Sequence, residues 1–401
     1  MATDAHLIAG GDTIELQQQV ARLQALLEAS RQVHGTIREE EVLESVLRIV
    51  VRELEMAGAA FPGTGAIYGD VPLGAVNGSV HADPAQQQKA ADAASQLFIY
   101  PLADRDGRKM TDLVVASPGG RELTLFEADF LEGLALQAAV ALENARNHKR
   151  NVEFARLQQD LDAARNIQRS LLPQERPAIF GYSVGYRSNT CYEVGGDYLD
   201  IVEQPDGSLL IAVADVAGKG LASAITSLSF RAAFRGMAAT GMPLDELATR
   251  MNKHHWEEGE EVRRRFVTGI FMRVHPETGE LEVVNAGHNP GFLVTPGQPD
   301  YQFQASGTPL GMLPGMSYTS EHRSFPSGAR LLFYTDGLTE VFKGDEEFGP
   351  ERLLNEFSTC PRQDADGILD ALWIAIEAFA DGGPQADDMT ALALCRGEMP
   401  A

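Results

Sequence analysis

The sequence contains little cysteine and no long apolar segment. Only three cysteines occur in 401 residues, Cys191, Cys360 and Cys395, and an odd, widely spaced trio fits neither a disulfide framework nor a zinc site. No apolar run approaches the ~18 residues of a membrane helix, and the first residues lack the basic and apolar segments of a signal peptide. These absences predict a cytoplasmic protein that does not enter a membrane.

Positive charge is also scarce. The chain has 33 lysines and arginines against 57 aspartates and glutamates, which gives a net charge of −24. A field of this sign repels phosphate backbones and anionic lipid, so the sequence predicts neither nucleic acid nor membrane as a partner. The same field is compatible with divalent cations. Hydrophobic residues make up 44% of the chain, enough for a large core, and the length favours two or three domains.

A short apolar seam lies near the N-terminus. Leu16, Val20, Leu23 and Leu27 follow a 4-3-4 spacing. This spacing indicates either a short coiled coil or an amphipathic helix that packs on the next domain.

The middle of the chain predicts one long helix. From Leu125 to Leu172 there is no proline and only one glycine, Gly133. About 48 helical residues would span about 70 Å, far more than a typical globular helix, so a connecting helix or coiled coil is expected. Pro173 then ends it.

The last part of the chain has runs of strand-like sequence and separate helical blocks, which favours an α+β layered sandwich. Residues 31–146 show the pattern of a smaller α+β unit. We therefore predict four segments: an N-terminal helix or short coiled coil (1–30), the small α+β domain (31–146), a linker helix (147–173) and the larger α+β domain (174–397).

Aspartates recur at the ends of apolar segments in the larger domain. Asp215 and Asp336 each follow an apolar run, Asp387 and Asp388 precede one, and Asp197 lies in a Gly-Gly-Asp motif. Each alone is most simply a turn residue or a helix cap. Strand ends meet at one rim of a sheet, however, and several carboxylates gathered there would repel one another unless a hard divalent cation such as Mg²⁺ or Mn²⁺ were bound.

The sequence motifs together resemble a known family. They follow one another in the order Ala164–Pro173, Glu193–Asp200, Ala214–Gly220, Phe266–Thr268, Asn285–Pro290, Tyr334–Glu340, Glu347–Gly349 and Asp387–Thr390. This set resembles the PPM-type metal-dependent Ser/Thr protein phosphatases, in the bacterial SpoIIE/RsbU-like subgroup.

The resemblance implies a fold and a metal site. The fold is an α-β-β-α layered β-sandwich, with two Mn²⁺ or Mg²⁺ ions at one end. Asp215 would bridge both ions and the main-chain carbonyl of Val216 would bind one of them. Asp336 and Asp387 would hold the other, and Asp197 would act directly or through a bound water. Asp388 is the weaker candidate.

The resemblance also implies an activity and partners. A water activated by the two ions would hydrolyse a phosphoserine or phosphothreonine monoester, with Asp215 and Asp197 as the catalytic aspartates. The substrate would be the phosphorylated antagonist of an anti-sigma factor, in a bacterial partner-switching pathway. Two alternatives stay open: a catalytically silent binding module that sequesters a signalling partner, and a two-metal nucleotide cyclase or hydrolase.

Histidines offer no clear general acid for this reaction. His288 lies in a hairpin context that favours a turn role, and His254-His255 on a predicted helix are interpreted as surface residues. The leaving-group acid therefore has no assignment.

Regulation is predicted from the N-terminal half. Tyr100-Pro101-Leu102, the strand Leu113–Ala116 and the helix Phe126–Arg146 give the small α+β domain a resemblance to GAF sensory domains. Helices on either side of it predict a homodimer. Ile167, Gln168, Leu171 and Leu172, at the end of the long helix, are the predicted regulatory residues, because apolar side chains there can dock on the sandwich. The alternative is a passive spacer.

Overall fold

The structure is a computed structural model that describes residues 20–72 except 22, then 96–173 and 175–397. The predicted seam residue Leu16 and most of the predicted segment 1–30 lie outside this part of the chain. The chain divides into two compact units, Met1–Leu157 and Gln158–Ala401. No helix of the described residues is long and apolar enough to cross a bilayer.

The N-terminal unit packs helices on one small sheet. Helix α1 covers residues 23–33 and α2 covers Glu39–Glu53. The antiparallel sheet has the order β2-β1-β4-β3. Its strands are β1 Gly58–Phe61, β2 Ala66–Gly69, β3 Leu97–Ala103 and β4 Lys109–Ala116. Helix α2 buries Val42, Val46 and Val50 at four-residue spacing, the stripe of an amphipathic helix.

The predicted seam does not face this core. Val20, Leu23 and Leu27 are 48%, 63% and 62% exposed, whereas Ala29 and Val33 are buried. The helix does pack on the next domain, as one of the two interpretations expected, but it does so through Leu26, Ala29 and Val33 and not through the predicted seam. The coiled-coil interpretation stays a prediction.

One helix, α3, runs from Leu125 to Leu171. Its buried residues all lie between Glu127 and Ala145, inside the N-terminal unit. It ends just before Pro173, which cannot continue a helix.

The C-terminal unit contains two five-stranded antiparallel sheets. One has the order β11-β10-β13-β16-β5 and the other β12-β9-β8-β7-β6. The strands are β5 Tyr182–Asn189, β6 Tyr198–Glu203, β7 Leu209–Val216, β8 Val267–His275, β9 Glu280–Ala286, β10 Gly291–Val294, β11 Tyr301–Phe303, β12 Glu321–Ser324, β13 Arg330–Tyr334 and β16 Met389–Arg396, with a small hairpin formed by β14 Phe342–Lys343 and β15 Glu346–Glu347.

Helices cover the outer faces of both sheets. Helices α4 Leu221–Ala238 and α5 Leu244–Glu257 pack on the second sheet, and the one-turn α6 Glu260–Arg263 follows them. Helices α7 Gly349–Thr359 and α8 Ala365–Ala380 pack on the first sheet. The predicted mixed α and β architecture is confirmed.

Strand β7 shows why the sandwich has three apolar layers. Its alternate residues Leu209, Ile211 and Val213 join the core between the sheets, while Leu210 and Ala212 face the helices. Both faces of the strand are buried, so it is an almost continuous apolar run. By the same two-residue period, Asp215 lies on the inter-sheet side at the strand's end.

One histidine differs from its prediction. His255 is not a surface residue: it is 2% exposed, and its Nε2 lies 2.8 Å from the carbonyl oxygen of Arg265.

Candidate active site

Four strand ends place the predicted aspartates at the same end of the sandwich. Asp215 is the penultimate residue of β7, and Asp197 directly precedes β6, whose Tyr198 pairs with Ala214. On the other sheet, Asp336 follows β13 and Asp387 precedes β16, and these strands pair Tyr334 with Ala391. Antiparallel pairing thus brings the end of one strand beside the start of the next in both sheets.

Two glycines allow this close approach. A Cβ at Gly196 would lie 2.9 Å from the Val216 carbonyl oxygen and 3.4 Å from Asp215 Oδ1. A Cβ at Gly337 would lie 2.0 Å from the carbonyl oxygen of Asp388. Any side chain at position 337 would push the two loops apart, because its neighbour is rigid backbone.

The carboxylates raise one another's pKa values. Burial, followed by the charges of Asp336 and Asp387, raises the pKa of Asp215 to about 7. Burial, together with the charges of Glu340 and Asp387, raises the pKa of Asp336 to about 6. Asp197 is buried beside Asp215, and its pKa also lies well above the usual range. The site is therefore a cluster of like charges that is partly shielded from water, with the Asp387 side chain still 29% exposed.

Lys219 is a cationic partner that the sequence analysis did not foresee. Its ammonium lies 2.7 Å from Asp387 Oδ2 and donates to the carbonyl oxygen of Ala386, also at 2.7 Å. Lys219 therefore offsets part of the negative charge at Asp387. The lysine side chain is 46% exposed, so the pair is weak enough to exchange for another cation.

Asp388 anchors a loop. Its Oδ1 accepts from the Cys191 amide at 2.7 Å and its Oδ2 accepts from the Gly196 amide at 2.8 Å. These bonds tie the loop that carries Asp197 to the start of β16.

Two threonines that sequence reasoning missed complete the site. The Thr335 hydroxyl donates to Asp197 Oδ2 at 2.8 Å, and the Thr390 amide donates to Thr335 Oγ1 at 2.9 Å. Thr335 directly precedes Asp336, and Thr390 lies two residues after Asp388. This closeness to the motif aspartates was the sequence feature that could have identified them as site residues.

The donor set fits a hard divalent cation. All the candidate donors are carboxylate or carbonyl oxygens, and their mutual repulsion would be relieved by positive charge. Within residues 20–72, 96–173 and 175–397, no three His, Cys, Asp or Glu side chains converge as a ready-made chelate.

His288 belongs to a turn. The amide of His288 donates to Asn285 Oδ1 at 2.8 Å, and its Nδ1 lies 2.9 Å from Thr268 Oγ1. Burial lowers the pKa of His288 to about 4, so the ring is neutral at neutral pH and is not an acid there.

Part of the predicted regulatory segment touches the loop of Asp197. Gln168 Nε2 donates to the Gly195 carbonyl at 2.7 Å, and its Oε1 accepts from the Gly195 amide at 3.1 Å. The Leu171 carbonyl accepts from Arg231 Nε at 3.1 Å. Leu171 and Leu172 are half-buried, but Ile167 is 59% exposed. The contact to the loop is thus made by a polar side chain, Gln168, where we expected apolar docking.

The raised pKa values predict an unusual pH dependence. The folded state binds protons at Asp215 and Asp336 more tightly than the unfolded chain does, so without metal the free energy of unfolding should fall as pH rises from about 4 to about 7. Urea denaturation in chelator at pH 5 and pH 8 measures this. The slope should be shallower in Asp215→Asn than in wild type, and equal slopes would contradict the assignment.

Comparisons with known proteins agree with this architecture. A family model described as stage II sporulation protein E (SpoIIE) matches residues 205–397. Protein IcfG of Synechocystis is 26% identical over 262 residues, which are 59% of this chain and 41% of IcfG. Phosphoserine phosphatase RsbU of Bacillus subtilis is 26% identical over 187 residues, 46% of this chain and 54% of RsbU. The chain thus spans about half the length of these relatives.

A solved structure shares the fold. The SiaA-PP2C domain of Pseudomonas aeruginosa superposes with a TM-score of 0.54 at 20% identity, covering 61% of this chain and 99% of that one. At this identity the match concerns the fold. The SpoIIE family model thus matches most of the C-terminal unit, and the fold of that unit is similar to the fold of the SiaA-PP2C domain.

Proposed function

We propose that this chain is a sensor-regulated protein serine/threonine phosphatase that depends on Mg²⁺ or Mn²⁺. One observation carries the proposal: four aspartates from four strand ends lie together at one end of a PP2C-type sandwich, where burial and mutual repulsion raise the pKa of three of them. Carboxylates under such repulsion are suited to cation binding.

The proposed ligands are assigned as follows. Asp215 would contact both ions, the Val216 carbonyl one of them, Asp336 and Asp387 the other, and Asp197 would act directly or through water. Bound cations would supply an activated water and would offset charge on the phosphoryl oxygens.

The chain's own residues fix this arrangement. Thr335 orients Asp197 through its hydroxyl, and Asp388 holds the loop of Asp197 through two backbone amides. Lys219, half-exposed beside Asp387, is placed where its charge can attract a phosphoryl group as the substrate approaches.

The proposed substrate is a phosphoprotein of a partner-switching pathway, the antagonist of an anti-sigma factor. RsbU, which this chain resembles over 187 residues, is named a phosphoserine phosphatase, and this name supports a phosphoserine monoester as the reacting group. We further propose a GAF-like sensory role for the N-terminal unit, a homodimer formed through helices, and a cytoplasmic location.

Phosphate release tests this function. The full chain should release phosphate from a phosphoserine protein with Mn²⁺ and should lose that activity in chelator. Asp336→Asn should reduce turnover by about a hundredfold or more at limiting Mn²⁺, because an amide binds a dication poorly. Partial recovery at high Mn²⁺ is expected.

Asp300→Asn is the matched control. It makes the same charge change on an exposed loop and should keep wild-type turnover. A wild-type chain without turnover on any phosphoprotein, with Mn²⁺ present, would favour the silent binding module.

A further inference from the structure

One buried histidine lies between the two sheets of the C-terminal unit, at the end that carries the aspartates. Strand β9 belongs to one sheet and β10 to the other, so the connection 287–290 crosses from sheet to sheet. Strand β10 pairs Phe292 with Leu332, which places this crossing at the end of β13 that leads to Asp336. His288 lies in the crossing and is 6% exposed. It is therefore a polar residue at the edge of the apolar layer between the sheets.

A neighbouring glycine shows how closely the chain approaches both sheets here. A Cβ at Gly291 would lie 2.4 Å from the Phe333 ring and 3.0 Å from the Ile270 side chain. Phe333 and Ile270 come from different sheets, and both belong to the core between them. The segment that follows His288 is thus packed against the two sheets at once.

The turn that carries His288 is held by one buried side chain. Asn285 Oδ1 accepts from the His288 amide at 2.8 Å. Asn285 Nδ2 donates to the carbonyl oxygen of His288 at 3.1 Å and to that of Phe303 at 3.0 Å. Because its backbone is bound at both the amide and the carbonyl, His288 has little freedom to move, and the turn fixes the position of its ring.

The imidazole ring connects this turn to the strand beside Asp215. His288 Nδ1 lies 2.9 Å from Thr268 Oγ1. Thr268 is paired with Asp215 across β7 and β8, and its hydroxyl lies 3.4 Å from the Asp215 carbonyl oxygen. Burial lowers the pKa of His288 to about 4, so the ring is neutral and has one donor and one acceptor nitrogen. A ring in this form can accept the Thr268 hydroxyl hydrogen at Nδ1 and keep its own proton on Nε2.

The same ring reaches the opposite sheet. The backbone of Tyr334, the last residue of β13, lies close enough to oppose the larger effect of burial on the pKa of His288. Nε2 is buried, yet it completes no hydrogen bond with any residue in the described part of the chain. An unpaired polar atom in a buried position is destabilising. This cost indicates a role for the ring other than holding its own turn.

We propose that His288 is a positioning residue for the metal site: its ring fixes the separation between the strand that carries Asp215 and the strand that leads to Asp336. These two aspartates come from different sheets and repel each other, and an ion bound by both needs a fixed distance between them. Groups behind the ligands of a metal commonly set ligand geometry in this way. The inference rests on the proposed phosphatase, in which Asp215 and Asp336 are metal ligands.

Calorimetric titration of Mn²⁺ into the metal-free full chain tests the proposal, together with the Mn²⁺ dependence of phosphate release. Thr268→Val removes the hydroxyl and keeps the volume. It should weaken Mn²⁺ binding about tenfold, the scale of one lost buried hydrogen bond. Turnover at saturating Mn²⁺ should return to near the wild-type value, because no ligand is lost. Thr268→Ser keeps the hydroxyl and should bind Mn²⁺ as wild type does.

His288→Asn is the second variant. Its amide oxygen can still accept from Thr268, but the side chain is too short to reach the Tyr334 backbone, so Mn²⁺ binding should again weaken. Because both changes act through one link, the double variant should lose less affinity than the product of the two single effects. Thr295→Val is the control: it makes the same change at a buried residue just after the far end of β10 and should bind Mn²⁺ as wild type does.

Mn²⁺ affinity distinguishes positioning from a contribution to folding alone. A lower melting temperature of Thr268→Val with unchanged Mn²⁺ affinity would overturn the inference and leave the proposed phosphatase intact. Equal weakening by Thr268→Val and Thr268→Ser would also overturn it, because the hydroxyl would then have no part. If Thr268→Val does not fold, the Mn²⁺ affinity of His288→Asn decides. A wild-type chain that binds no Mn²⁺ would overturn the proposed function, and this inference with it.

Discussion

Replacing Asp215 by asparagine should abolish the proposed phosphatase turnover and, in chelator at pH 8, should make the protein more stable. The variant removes one charge from a buried cluster in which Asp336 and Asp387 raise the pKa of Asp215 to about 7. Without metal that charge is repulsive, so its loss should raise the melting temperature by a few degrees, where about 1 kcal/mol corresponds to about 2–4 °C in a domain of this size. In the proposed metal site a neutral amide would bind a dication much more weakly than a carboxylate does, so turnover should be lost.

Saturating Mn²⁺ should reverse the stability order. Wild type should gain more thermal stability from the metal than Asp215→Asn, because stabilisation follows binding to the folded state. Asp300→Asn, on an exposed loop, should change neither melting temperature nor turnover. Near-wild-type turnover of Asp215→Asn in excess metal would refute the two-metal hypothesis. A lower melting temperature of the metal-free variant would refute the repulsion between the aspartates.

The aspartates were predictable because strand ends have a strong sequence signal. Leu209–Val216 is buried at almost every position, so an apolar run followed by Asp and Gly marks both the strand and its rim. Alternation then places Asp215 on the inter-sheet side. Their assignment as metal ligands stays a prediction, since carboxylates at a rim do not by themselves specify an ion.

Contacts between distant residues left no such signal. Asp388 binds the Cys191 and Gly196 amides across 197 and 192 positions of the chain, and Lys219 reaches Asp387 across a comparable distance in sequence. No local pattern encodes such a pair, because each depends on the sheet that brings two loops together.

Strand β5 and the N-terminal helix show two further features that the sequence pattern could not predict. Tyr182–Asn189 is an edge strand that pairs with β16 alone and is mostly half-buried. Because it contains polar residues and glycine, it does not form an apolar run that would predict a strand.

In the N-terminal helix, Val20-Leu23-Leu27 and Leu26-Ala29-Val33 both follow helical spacing. The structure buries Ala29 and Val33, and periodicity alone cannot choose between two stripes on one helix.

The contact of Gln168 with Gly195 should control metal affinity in the proposed phosphatase. Gly195 lies two residues before Asp197, and the Gln168 amide binds both backbone groups of that glycine. Nearby, Arg165 Nε donates to the Glu193 carbonyl at 2.7 Å. The end of α3 is thus hydrogen-bonded to the loop that carries Asp197, a proposed metal ligand. A signal that moved this helix end would therefore move that loop.

Gln168→Glu should raise the Mn²⁺ concentration for half-maximal activity about tenfold, because a carboxylate cannot donate to the Gly195 carbonyl and instead repels it. Leu171→Asp should change activity several-fold, because it places a charge at a half-buried position of the same helix end, where Arg231 binds the Leu171 carbonyl. Gln159→Glu, on an exposed position of the same helix, is the matched control and should behave as wild type. A Mn²⁺ titration distinguishes an effect on the metal-binding loop from loss of folded protein. If only the loop is loosened, metal affinity falls and turnover returns to near normal at saturating Mn²⁺. If the protein unfolds, turnover is lower at every Mn²⁺ concentration. If Gln168→Glu and Leu171→Asp both matched wild type in metal affinity and turnover, the helix end would be only a passive spacer.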